Sequence, residues 1–205
     1  MTDEGCLALI DWAVAGAPIA GETESGDLHA VVPFEGGVLV GAVDGLGHGP
    51  EAAAAARLAV LILGAHAAES PLRLMDRCHD GLRGTRGAVI TLASFQARAA
   101  TMTWMGVGNV EGVLLRRETT TTVTESAPLR GGVVGFRLPA PRESTISLLP
   151  GDTLILATDG ISGGFSRGLD AWLSPAYLAG AILAAHGKRG DDATVVVARY
   201  LGHAS

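Results

Sequence analysis

Three stretches of this chain set an aspartate beside glycine at the edge of an apolar run. They are Val43-Asp44-Gly45-Leu46-Gly47-His48-Gly49, Leu154-Ile155-Leu156-Ala157-Thr158-Asp159-Gly160 and Gly190-Asp191-Asp192-Ala193-Thr194. Gly26-Asp27 is a fourth, weaker candidate. An aspartate at the end of a buried strand is held by a rigid element, and a glycine after it lets main-chain carbonyls come close to an ion. Asp-Gly is also a common turn dipeptide, and Asp191-Asp192 could cap a turn. Two apolar strands that each end in Asp-Gly, with a diaspartate leading into a third strand, are harder to attribute to turns alone. Oxygen-only ligands suit hard cations such as Mg²⁺ or Mn²⁺, and no Cys–Cys or His–His spacing points to zinc. No lysine or arginine precedes Arg57. Carboxylates gathered without counter-charges repel one another unless cations neutralise them.

The elements that would position these residues follow from the apolar pattern. Residues 7–13 form a short apolar run, and 28–34 read as a strand after a Gly/Thr/Ser loop at 21–26. Glu35-Gly36-Gly37 has hairpin chemistry, and 38–43 is the returning strand, small or apolar throughout and so buried on both faces. After the glycine loop 45–49, Pro50 suits a first helical turn, so 51–68 is predicted as helix and 72–80 as a second. Strands are predicted at 88–95, 99–105, 109–116, 119–125, 145–149, 153–157 and 194–200, with a helix at 175–186. Residues 127–142, with three prolines and three glycines, form the most irregular stretch. Hairpins with segregated helices predict an α+β fold: two antiparallel sheets packed face to face with helices outside, a four-layer α-β-β-α sandwich.

Composition sets the outer limits. At 205 residues, 48% hydrophobic and 18% charged, the chain suits a single domain over 1–205 with a substantial core. A net charge of −6 argues against broad binding to nucleic acid or anionic membranes. The start MTDEGCLALIDW has no basic leader, and no apolar run reaches the roughly 18 residues of a membrane span. Cys6 and Cys78 are therefore expected as reduced thiols in a cytoplasmic protein.

As an ordered set, VDGLGHG (43–49), ATDGI (157–161) and GDDATVVV (190–197) resemble the metal-dependent type-2C (PPM) protein phosphatases. The likeness is strongest to the bacterial branch of SpoIIE and the stressosome phosphatase RsbX. WMGVGNVEGVLL (104–115) and LRGGVVGFRLP (129–139) resemble the RsbX-like chains in particular. The resemblance implies the same sandwich fold and two divalent cations, Mn²⁺ or Mg²⁺. Asp44 would bridge the two, the Gly45 carbonyl would bind one, and Asp159 and Asp191 would complete the other. Asp27 would hold metal-bound water or assist one ion, and Asp192 would stand at or just behind the ligands. The implied reaction is direct hydrolysis of phosphoserine or phosphothreonine, with no covalent enzyme intermediate. The implied substrates are phosphorylated proteins of a bacterial stress-signalling complex, with STAS domains as the phosphoproteins.

Two departures from that family matter. Larger members carry an arginine ahead of the first carboxylates to hold phosphate; here that task falls to metals, backbone amides or a later arginine such as Arg130 or Arg137. The path from Asp159 to Asp191 is also short, leaving little room for a flap subdomain. His48 is a candidate proton donor to the leaving oxygen, or a loop residue. The other histidines read as surface or partly buried, Trp12, Trp104 and Trp172 as packing, and Asp152 as a turn former. Other readings of the same residues are a binding module that has lost catalysis and a metal hydrolase of small phosphoesters.

Overall fold

A computed structural model describes residues 2–116, 123–140 and 142–202, apart from the side chains of Cys6 and Val123. Part of the strand expected at 119–125, and His203, lie outside the described residues. The first sheet contains β1 (Thr2–Cys6), β2 (Ile10–Ala17), β7 (Glu111–Arg116), β8 (Val123–Ser126), β11 (Thr153–Ala157) and β12 (Ala193–Tyr200), in the order β1-β2-β12-β11-β7-β8. The second contains β3 (Asp27–Phe34), β4 (Gly37–Gly45), β5 (Ala88–Gln96), β6 (Thr101–Val107) and β10 (Ser144–Ser147), in the order β10-β6-β5-β4-β3. A two-residue strand, β9 (Leu129–Arg130), joins β6 in parallel; every other pairing is antiparallel.

Strand periodicity builds three apolar layers. Along β4, Val38, Val40 and Ala42 point into the core between the sheets, while Leu39 and Val43 point to the helices. Strand β12 does the same on the first sheet, with Val196 and Ala198 inward and Val195 and Val197 outward. Helices α1 (Pro50–Ala65) and α2 (Pro71–Gly81) cover the second sheet, and α3 (Pro175–His186) covers the first. The chain is thus the expected α-β-β-α sandwich. Ser70 and Ser174 cap α2 and α3 by accepting the amides of Arg73 and Tyr177. Serine at that position satisfies an otherwise orphan helical N–H.

The apolar run at 7–13 spans the turn of a β1–β2 hairpin, with Cys6 paired to Asp11. Two expectations change. Helix α1 stops at Ala65 rather than 68. Trp172 is 64% exposed and does not pack in the core, whereas Trp104 is 1% exposed, as expected. Cys78 is buried, and burial pushes its thiol up to about 12, which keeps it protonated. No helix among the described residues is long and apolar enough to cross a membrane.

All the aspartate motifs meet at one end of the sandwich. Strand β4 ends there and β3 begins there, so Asp44 and Asp27 are directly paired across the ladder. On the other sheet β11 ends and β12 begins at the same edge, carrying Asp159 and Asp191-Asp192. Gly45 sets how closely α1 approaches this edge: a Cβ there would lie 2.2 Å from the Ala52 carbonyl oxygen. Gly45→Ala should therefore push α1 off β4 and lower stability by about 1–3 kcal/mol or more. A thermal melt checks this; an unchanged Tm would show that the helix can yield.

Candidate metal centre

Asp44, Asp159 and Asp191 line one cleft of about 300 Å³, together with Ile19, Leu46, Gly47, His48, Val89, Asn109 and Gly190. One carboxylate comes from the second sheet and two from the first. Asp27 and Asp192 lie behind this surface, 1% and 4% exposed.

Each buried aspartate has a distinct tether. The Thr158 hydroxyl donates to Asp27 Oδ2 at 2.6 Å, and its oxygen accepts the Thr194 amide at 2.8 Å. One threonine thus ties the start of β3 to the β11–β12 edge of the opposite sheet. Asp192 accepts the Ile19 amide on Oδ1 and the Gly26 amide on Oδ2, both at 2.8 Å. Both of its oxygens brace the loop before Asp27, so Asp192 sits behind the cleft rather than among its lining carboxylates. Its amide in turn donates to Asp191 Oδ1 at 3.0 Å. Gly160 has no room for a side chain, because a Cβ would fall 1.9 Å from the Asp192 carbonyl oxygen. The glycine of this Asp-Gly pair is required by close packing of two chain segments.

The Asp44 carboxylate receives no hydrogen bond from any described residue, although Asp44 is half-buried and faces Asp27. Burial, then Asp27, Asp159, Asp191 and Asp192, push its carboxyl up to about 8. Burial raises Asp27 to about 7 against the pull of the Thr158 hydrogen bond, with the other aspartates adding to the rise. Asp191 is raised as well, by burial and then Asp159, partly offset by the Asp192 amide and Lys188. Without a cation this edge holds protons at neutral pH, because like charges opposed in a partly buried site disfavour ionisation.

The donor set fits hard divalent cations: it is all oxygen, and it lacks a compensating positive charge at Asp44. Among the described residues no three His, Cys, Asp or Glu side chains close around one point. Ions held here would keep much of their water, the habit of Mg²⁺ at sites with one or two carboxylates.

Three neighbours were not singled out by the sequence. Asn109 donates its side-chain amide to Asp159 Oδ2 at 2.8 Å, fixing that carboxylate from the β6–β7 turn. Lys188 Nζ donates to the Asp159 main-chain carbonyl, which brings one basic residue to the edge of the site. Arg86 reaches the glycine loop: a Cβ on Gly47 would lie 2.7 Å from its guanidinium, which pairs with Glu51. Neither Arg130 nor Arg137 lines the cleft. His48 stands at its mouth with a 67% exposed side chain, 3.7 Å from Glu22. Asp152 forms its expected turn by accepting the Leu149 amide, and it also anchors Arg116 at 2.6 Å. Only the Gly108-Asn109 turn dipeptide offered a signal for Asn109; nothing local marks Lys188 or Arg86.

The family model for stage II sporulation protein E (SpoIIE) matches residues 35–201. The chain belongs to the SpoIIE family. A comparison with curated proteins gives no match. Among solved structures, one from work on the bacterial stressosome, described as a modular system adapted to control secondary messenger signalling, is 29% identical. It has a TM-score of 0.85, over 93% of this chain and 99% of that one. RsbX in complex with magnesium is 18% identical with a TM-score of 0.84, over 98% and 100% of the two chains. The catalytic domain of the serine/threonine phosphatase PstP with 2 manganese ions is 18% identical with a TM-score of 0.66, over 94% and 99%. The SpoIIE-family chain therefore has the PP2C-type fold.

The charges and tethers have measurable consequences. Folded-state carboxyls near 7 and 8, against an ordinary 3.8, bind protons that the unfolded chain releases. Their contribution to stability is complete below about pH 4 and is lost as pH rises through 7 to 8. In EDTA, Asp44→Asn should raise Tm, and by more at pH 8.5 than at pH 5; a gain independent of pH contradicts the assignment. Added Mn²⁺ should likewise raise the wild-type Tm more at the higher pH. Asn109→Ala should weaken Mn²⁺ binding about tenfold by calorimetry, the usual cost of losing a hydrogen bond that orients a ligand.

Proposed function

We propose that the chain is a metal-dependent serine/threonine phosphoprotein phosphatase of the RsbX-like branch. Its substrates in this reading are phosphorylated stressosome components, with STAS domains as the phosphoproteins. Residues 1–205 act as one such domain. The observation that carries the reading is the meeting of Asp44 from one sheet with Asp159 and Asp191 from the other on a single cleft. Membership of the SpoIIE family and likeness to a stressosome chain and to RsbX support it.

Asp44, Asp159, Asp191 and the Gly45 carbonyl would hold two divalent cations, Mg²⁺ or Mn²⁺. When bound, such ions supply Lewis-acid charge to phosphoryl oxygens and make water a stronger nucleophile. Asn109 keeps Asp159 oriented, while Asp192 and Thr158 keep Asp27 and its loop fixed behind Asp44. Among the described residues the cleft lining contains no hydroxyl or thiol side chain, which fits attack by water rather than a seryl or cysteinyl intermediate. Arg86, held by Glu51 beside the lining residue Gly47, is in this reading the arginine that would assist in holding phosphate, since none lies upstream. His48 is a rim residue in this arrangement.

Phosphate release from a phosphoserine STAS domain and from p-nitrophenyl phosphate, with Mn²⁺ or with EDTA, tests the reading. Both substrates should need metal, and Asp44→Asn should lower kcat/KM on the order of 100-fold. Arg86→Ala should raise KM more than it lowers kcat. His48→Ala should lose far less than the roughly 100-fold contributed by a proton donor. No metal-dependent release from either substrate would sink the enzyme reading. Release confined to the small ester would make the chain a phosphoester hydrolase, and full activity in Asp44→Asn would reject the site.

A further inference from the structure

Phe136 is 85% exposed, the most exposed large apolar side chain among the described residues. Such exposure is usual on a loose loop, but this one is built rigidly. Val134 and Ala88 exchange both backbone hydrogen bonds, at 2.8 and 3.0 Å. Val133 and Arg137 exchange another pair at 3.0 and 2.8 Å, closing the turn around Phe136. The Gly135 amide donates to His79 Nδ1 of α2 at 3.0 Å. At Gly135 φ is +95° and a Cβ would strike Leu82, so glycine alone fits there. Val134 is fully buried beneath the turn.

The turn also flanks the cleft. Ala88 precedes the lining residue Val89, and the Arg130 carbonyl accepts the amide of Gly108, next to Asn109. Residues 127–142 contain arginine at 130, 137 and 142 and no acidic residue, in a chain of net charge −6. Arg130 and Arg137 are exposed and have no ion-pair partner among the described residues. An aromatic side chain on a fixed backbone turn, beside guanidinium groups that pair with no described residue, is the composition of a binding anchor: the backbone is already ordered, and the arginines give up no ion pair among the described residues.

We propose that the turn at residues 133–137 docks the phosphorylated substrate, with Phe136 packing on an apolar side chain near the phosphoserine and Arg130 and Arg137 facing acidic residues around it. The inference rests on the phosphoprotein-phosphatase reading and names the chemistry of its substrate: an acidic segment with an apolar residue beside the modified serine. The turn supplies affinity and selection, while the aspartate edge supplies the reaction. A small ester, too short to reach the turn, gains nothing from it.

The test uses two labelled phosphoserine peptides, one with leucine and glutamate around the phosphoserine and one with serine and lysine in their place. Fluorescence anisotropy in EDTA reads their binding without turnover, and phosphate release in Mn²⁺ reads catalysis. The wild-type protein should bind the acidic, apolar peptide about tenfold more tightly, a difference of about 1.4 kcal/mol. Phe136→Ser and Arg137→Glu should each bring that ratio toward one, and Phe136→Ser should hydrolyse p-nitrophenyl phosphate at the wild-type rate. Equal binding of both peptides by the wild type, or an unchanged ratio in both variants, overturns the proposal. A clear binding ratio without metal-dependent release would overturn the phosphatase reading and leave the docking surface standing.

Discussion

The repulsion between Asp27 and Asp44 is the constraint around which this end of the molecule is organised. Register places the two carboxyls opposite each other on adjacent antiparallel strands, one fully buried and the other half-buried. Like charges directly opposed across a sheet are destabilising, and burial increases the penalty. A protein selected only for stability would replace one of them. Keeping both makes sense where an external positive charge completes the pair, and the hydrogen bonds nearby leave that place open. Thr158 satisfies Asp27, while Asp44 is given no donor.

Around this pair, roles divide by depth. Asp44, Asp159 and Asp191 reach the cleft, and Asp27, Asp192 and Thr158 hold the two sheets in register behind it. The division explains the spacing in the last motif. Asp191 faces outward, and Asp192 turns inward to grip Ile19 and Gly26. Successive residues entering a strand point to opposite sides, so a diaspartate there serves two tasks.

Much of this was legible in the sequence because it depends on local patterns. Apolar runs ending in Asp-Gly located the strand ends, and the run at 38–43 was read correctly as buried on both faces. The reason for the glycines was only partly legible. Flexibility near an ion was expected, whereas Gly45 and Gly160 are fixed by backbone from α1 and from Asp192. What sequence could not show came from distant segments meeting. Asn109, Lys188 and Arg86 reach the site through the sheet order, which no local pattern records. Strand β1 escaped notice because Thr2, Asp3 and Glu4 are exposed on a sheet edge, where apolar alternation is not required. Trp172 misled because an aromatic residue usually lies in a core.

The grip of Asp192 on Ile19 and Gly26 spans 173 and 166 positions of the chain. During synthesis the strand ends carrying Asp27 and Asp44 leave the ribosome long before Asp192 exists. Long-range closures of this kind come late, because loop-closure entropy must be met before the contact gives anything back. The nascent chain therefore carries an unbraced carboxylate edge until Asp192 emerges. A chain that stops short of Asp192 would lack both hydrogen bonds that hold Ile19 and Gly26, and with them the brace behind the cleft.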